Sequence, residues 1–186
     1  MLWLIAGLVL FLGIHVFSSL RAARARIVGR LGEGTYKGLY SLASLAGFGL
    51  IVAGMARAPH VRLWDPPGWS HYAAIWFMPF ALVLLAAAFI PGNVKRLTAH
   101  PMLWAVTLWA LVHLLANGDL AGLLLFGGFG IYSLYAMWSQ NRRGVRPSQT
   151  RKPLTGDIGA VLIGLIAYAL LLLRFHASLF GVAVWY

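Results

Sequence analysis

The chain has 186 residues, 61% of them hydrophobic and 10% charged, with a mean hydropathy of +0.80. A soluble domain carries about 25% charged residues, so an aqueous globular fold is excluded, and six spans of ~20 residues would leave little beyond loops. The net charge of +11 comes mostly from residues set between apolar runs, which reads as membrane topology and contact with anionic membrane lipids, with no nucleic acid partner.

The first apolar run covers 2–20 and is followed by Arg21, Arg24, Arg26 and Arg30. A secretory signal carries its charge before the apolar core, so this run reads as an uncleaved first helix. Further runs cover 39–56, 72–90, 102–116, 120–138 and 158–175. The fold class that follows is all-α: a polytopic membrane bundle of about six transmembrane helices in one domain over 1–186. His100-Pro101 suits the start of the fourth helix, because proline fits a first turn. Asn117-Gly118-Asp119 predicts a tight hairpin between the fourth and fifth helices, with Gly118 in a left-handed cap and Asp119 opening the next helix. Asp157 reads as the N-cap of the sixth helix, and the basic stretch 139–155 before it as a mobile linker. Ala43 with Gly47, and Ala160 with Gly164, supply the small-residue spacing of close helix contacts.

Charge orients the spans. Alternate loops hold Arg21, Arg24, Arg26, Arg30 and Lys37, then Lys95 and Arg96, then Arg142, Arg143, Arg146, Arg151 and Lys152. The opposite loops hold only Arg57 and Arg62. The rule that basic loops stay inside places both termini on the periplasmic side of a bacterial inner membrane. Trp64, Trp69, Trp76, Trp185 and Tyr186 then fall toward the outer interface, where amphipathic rings are favoured.

The chemistry is narrowed by absences. No cysteine is present, which removes thiolate metal sites and covalently attached haem. Only Glu33, Asp65, Asp119 and Asp157 carry carboxylates, too few for di-iron sites or paired-carboxylate hydrolysis. Six histidines remain. His60 falls in a proline-rich loop, His71 just before the third helix, and His176 beside Arg174 at the end of the sixth, where a headgroup contact accounts for it. His15 and His113 lie within apolar spans, where an ionisable residue marks a functional site by default. Ser18 and Ser19 near His15, and Asn117 near His113, are placed to fix the imidazole tautomers. Two neutral histidines on facing helices would suit the iron of a non-covalent haem b, although copper or a structural network would use the same residues. His100 and His113 share a helix thirteen residues apart, ~140° around its axis and ~20 Å along it, so they cannot share a small site.

Several motifs carry a resemblance. Gly13-Ile14-His15, Leu31-Gly32-Glu33, Tyr36-Lys37-Gly38-Leu39-Tyr40-Ser41-Leu42, Leu63-Trp64-Asp65-Pro66-Pro67-Gly68-Trp69 and Pro91-Gly92-Asn93-Val94-Lys95 are similar to the NnrU family of bacterial membrane proteins. His100-Pro101-Met102-Leu103, the stretch from Leu108 to Asp119, and His176-Ala177-Ser178-Leu179-Phe180-Gly181-Val182 extend the likeness over nearly the whole chain. The resemblance implies an accessory protein of nitrite and nitric oxide respiration, with nitric oxide reductase or its maturation factors as partners. A relative, the 15-cis-zeta-carotene isomerase, is a haem b enzyme with histidine ligands. Carried over by motif, those ligands fall on His15 and His113, and a further family histidine on His100. The alternative activity implied is haem-dependent cis-trans isomerisation of a lipophilic polyene substrate. A weaker likeness, to membrane methyltransferases that use S-adenosylmethionine, lacks the expected arginine, since Ala99 precedes His100. Helix geometry opposes the His15–His113 pair. With the first helix centred near Phe11 and the fourth near Trp109, the two lie ~6 Å to opposite sides of the midplane. Ligand nitrogens on one iron sit only ~4 Å apart. His15 with His100, and His113 with His71, remain alternatives.

Overall fold

The computed structural model describes residues 1–180, so Trp185 and Tyr186 lie outside the described residues. Helices run in the order α1 (Leu2–Ser19), α2 (Arg21–Leu31), α3 (Glu33–Ala56), α4 (Ser70–Phe89), α5 (Val94–Leu97), α6 (Pro101–Ala116), α7 (Leu120–Arg142) and α8 (Leu154–Leu170). A π-turn over Leu171–Phe175 leads from α8 into α9 (His176–Phe180). Among the described residues there is no strand, only an isolated antiparallel bridge between Arg62 and Asp119. Five helices among the described residues are long and apolar enough to cross a membrane, one of them running over Leu154–Ser178. The sixth apolar helix, Pro101–Ala116, has 16 residues. At 1.5 Å per residue it is ~24 Å long, shorter than a ~30 Å hydrocarbon core.

Two segments differ from the sequence expectation. The basic stretch after α1 is helical over Arg21–Leu31, because alanine and arginine are strong helix formers and the corner is made at Leu20 (φ −81°, ψ 85°). Gly32, at φ 80°, breaks that helix from α3, which starts six residues before the expected 39. A Glu33–Lys37 ion pair of 3.1 Å spans its first turn.

Packing orders the long helices as α3, α1, α7, α6, α4 and α8, each touching the next. Glycine sets the closest of these approaches. A Cβ at Gly47 would sit 2.8 Å from the Phe11 nitrogen, and one at Gly164 2.6 Å from the Val83 Cα, so both small-residue motifs do pack backbones together. Leu4, Leu8, Ile51 and Ala121 form the core where α1, α3 and α7 meet. Between α6 and α7, the fully buried Ser133 hydroxyl pairs with Thr107 Oγ1 at 2.7 Å.

The ends of the array are tied by polar contacts. Gly118 does not adopt a left-handed cap; positive φ occurs only at Gly32 and Gly144 among the described residues. Its lack of a side chain instead admits the Trp64 carbonyl, and its own carbonyl accepts from Leu63 N (2.7 Å) and Trp64 N (3.1 Å). Asp119 does cap α7, accepting from Gly122 N at 2.9 Å. Asp157 does not cap α8, which starts after Pro153. It reaches across to Asn93, accepting from the backbone N and from Nδ2, each at 2.6 Å. The segment expected as a mobile linker is fastened as well. Ser148 N donates to Lys95 O at 2.8 Å, and Lys152 N to Asn93 Oδ1 at 3.0 Å. Its backbone donors find partners on α5 and the turn before it, which holds the segment against the bundle end.

Candidate functional site

His15 sits on α1 among rings from three helices. Its imidazole stacks on Phe11 (centroids 4.3 Å apart) and meets Tyr40 of α3 at 5.3 Å and Tyr132 of α7 at 6.0 Å. Nδ1 lies 2.6 Å from the Phe11 carbonyl, one helical turn back. A carbonyl only accepts, so Nδ1 carries a proton, and in the neutral ring the lone pair is on Nε2.

His113 repeats that arrangement on α6. Its Nδ1 lies 2.8 Å from the Trp109 carbonyl, again four residues back. The ring stacks on Phe126 of α7 at 4.8 Å and lies 5.5 Å from Trp109. The residues expected to fix these tautomers do something else. Ser18 and Asn117 bond the histidines' own backbone carbonyls, at 2.9 and 2.8 Å, and Ser19 bonds the Val16 carbonyl. An i−4 carbonyl lies closer to an imidazole on a helix than a side chain one turn ahead, because helical side chains lean toward the N-terminus.

The two histidines do not face each other. Phe11, Phe129 and Trp109 link them as a relay of rings, with centroid steps of 5.5 and 5.7 Å. On α7, His15 meets Tyr132 and His113 meets Phe126, six residues and ~9 Å apart along the helix. Each imidazole is thus set in its own cluster of rings, His15 beside Tyr132 and His113 beside Phe126.

The remaining histidines separate clearly. His100 is buried, and its Nε2 lies 2.8 Å from Asn141 Oδ1, pinning the start of α6 to the end of α7. His71 is exposed at the start of α4, with its ring 3.8 Å from that of Tyr72. His60 is exposed in the loop after α3. His176 lines a cavity of about 80 Å³ together with His113. Met78 and Leu82 of α4, Tyr168 of α8 and Leu172 of the π-turn contribute to the same walls. Sequence reasoning missed this cavity. Its one legible signal is Pro79 inside α4, which has no N–H to give the Ile75 carbonyl. The Tyr168 hydroxyl donates to that carbonyl at 2.8 Å and so ties α8 to α4 beside the cavity.

Among the described residues, no three of His, Asp or Glu gather as a metal-binding group. No curated protein and no solved structure matches the chain. The family model described as NnrU protein matches residues 3–184, nearly the whole length, and the chain therefore belongs to the NnrU family.

Proposed function

We propose that this chain is a haem b-binding protein of the bacterial inner membrane, acting as an accessory factor in nitrite and nitric oxide respiration. The observation that carries the cofactor is the shared state of His15 and His113. Each is set in an apolar helix, with Nδ1 spent on a backbone carbonyl and Nε2 left as a donor to a metal. A bound haem b would supply an iron able to exchange an electron and to take a small ligand such as nitric oxide. The chain's own part is to hold the imidazoles in one tautomer, to surround them with rings and to keep water out. Nitric oxide reductase or its maturation factors are the partners in this reading, and membrane lipids surround the bundle.

The test has a chemical arm and a cellular arm. Protein purified in detergent from haem-replete cells is expected to show a Soret band and a b-type pyridine haemochrome. Well-folded protein without a Soret band would remove the haem. In a denitrifying host, deletion of the gene is expected to slow nitric oxide consumption. Unchanged consumption with accumulation of a cis-polyene would replace the respiratory role with isomerisation. Binding of S-adenosylmethionine by haem-free protein would replace it with methyl transfer.

A further inference from the structure

We propose that α5 and the segment fastened over it bind one acidic phospholipid, with the Arg96 guanidinium holding its phosphate. The proposal goes beyond the haem reading and stands or falls separately from it. Three independent observations meet at this place: a half-buried arginine without an acceptor, an excess of cations, and exposed apolar side chains beside them.

α5 is a single turn between α4 and α6, and Arg96 is half-buried on it. Its Nε is shut off from solvent, and no acceptor or carboxylate among the described residues reaches the side chain. A guanidinium is always charged in a protein, and a charge drawn out of water is costly unless it is paired. Its planar fork of donors matches phosphate oxygens two at a time, which favours arginine at phosphate sites. The carboxylate that contacts α5 is already spent. Asp157 accepts from Asn93 N and Nδ2, each at 2.6 Å, and from Val94 N at 3.3 Å.

The surroundings select the kind of anion. Ser148 N on Lys95 O, at 2.8 Å, and Lys152 N on Asn93 Oδ1, at 3.0 Å, draw the 142–152 segment against α5 and the turn before it. That segment carries five cations, and α5 adds Lys95 and Arg96. Asp157 is the only acidic residue in 89–100 or 139–157, and none of these cations is in an ion pair among the described residues. Such an excess favours a headgroup of net negative charge over a zwitterionic one. Leu97, the last residue of α5, is 84% exposed, and Phe89 at the end of α4 and Leu154 at the start of α8 are exposed too. Acyl chains can cover these surfaces and a small soluble anion cannot, so the phosphate is that of a lipid in the adjoining leaflet.

In the experiment, wild type and variants are purified in mild detergent, and phosphatidylglycerol, phosphatidylcholine or inorganic phosphate is added as the probe. Native mass spectrometry counts the lipid bound per folded chain, and a thermal melt reports its stabilising effect. One phosphatidylglycerol per chain with a raised melting temperature is expected, and neither effect from phosphatidylcholine or inorganic phosphate. Arg96→Gln is expected to weaken that binding about tenfold, the size of losing a hydrogen-bonded contact to a charged group. Arg96→Lys keeps the charge without the fork and is expected to fall between wild type and Arg96→Gln; it serves if the glutamine variant misfolds. Arg26→Gln, exposed on α2 against α1 and α3, and the exposed Arg57→Gln are expected to bind as wild type does. Binding unchanged in the Arg96 variants, or weakened as much in Arg26→Gln, would mean diffuse attraction and overturn the site. So would phosphatidylcholine held as tightly, a melt raised equally by inorganic phosphate, or wild type that binds no lipid.

Discussion

Proline 79 shows how one residue creates a need that another element meets. It removes the N–H that would have bonded the Ile75 carbonyl, and the Tyr168 hydroxyl replaces that donor from α8. Tyr168→Phe leaves a carbonyl unpaired in an apolar setting and is expected to destabilise the protein. Interhelical hydrogen bonds within membranes average about 0.6 kcal/mol and reach ~1.7, so a loss in that range is the expected size. Pro79→Ala restores the intrahelical bond, so Tyr168→Phe should cost less in the Pro79→Ala background than in the wild type. A thermal-melt double-mutant cycle in detergent measures this, and strict additivity would refute the coupling. The histidines were legible to different degrees at this scale. His15 and His113 stand out because an imidazole inside an apolar run is conspicuous in any sequence. His176 did not, because its placement depends on a π-turn, and nothing in Leu171-Leu172-Leu173-Arg174-Phe175 announces one. His100 carried a motif, yet its Nε2 is engaged with Asn141, forty-one residues away, a contact no local pattern contains.

Helices were legible where apolar length decided them and illegible where capping or tertiary pairing did. The long runs came out as helices because ~20 apolar residues in lipid must satisfy their own backbone groups. The segment after α1 was read as a loop from its charge, although its alanines and arginines favour helix. The stretch before α8 was read as mobile from its composition, although Asn93 and Lys95 hold it in place. Contact between elements gives a prediction of its own. A Cβ at Gly7 would come within 2.6 Å of the Ile51 nitrogen, and one at Gly47 within 2.8 Å of the Phe11 nitrogen, whereas one at Gly49 meets nothing within 4 Å. Gly47→Val is therefore expected to push α1 and α3 apart at a cost of about 1–3 kcal/mol, the usual range for overpacking. Gly49→Val, on the same helix, serves as the control for the change in residue type. Equal melting temperatures for the two variants would show that backbone approach does not hold α1 to α3.

Across the whole molecule, the ends of the array differ in charge. Arg143 donates to the Ser19 carbonyl at 3.0 Å, so α1 and α7 finish together. His100 joins α6 to that end through Asn141, and Lys95 and Lys152 are drawn to one another's strands of loop by Ser148 and Asn93. The contacts of Val61, Leu63 and Trp64 with Gly118 and Leu120 tie the loop after α3 to the α6–α7 hairpin, where Arg62 also pairs with Asp65. The sequence alternation of basic and sparse loops thus describes two real ends, since chains entering and leaving a membrane must reverse at each short connection. Positive charge is retained on the cytoplasmic side during insertion, so the basic end is expected to face the cytoplasm. Reporter insertions at Arg26, Lys95 and Gln149 should read inside, and one at Arg62 outside. The reading at Gln149 decides most, because it counts whether Pro101–Ala116, with only 16 residues, crosses together with α7. Ser148 N bonds Lys95 O, so Gln149 and Lys95 lie at one end of the array, and an outside reading at Gln149 with an inside reading at Lys95 would overturn both that contact and the crossing of α6. An inside reading requires the hairpin to cross in both directions, with the fastened loop around Gly118 making up the thickness that α6 lacks.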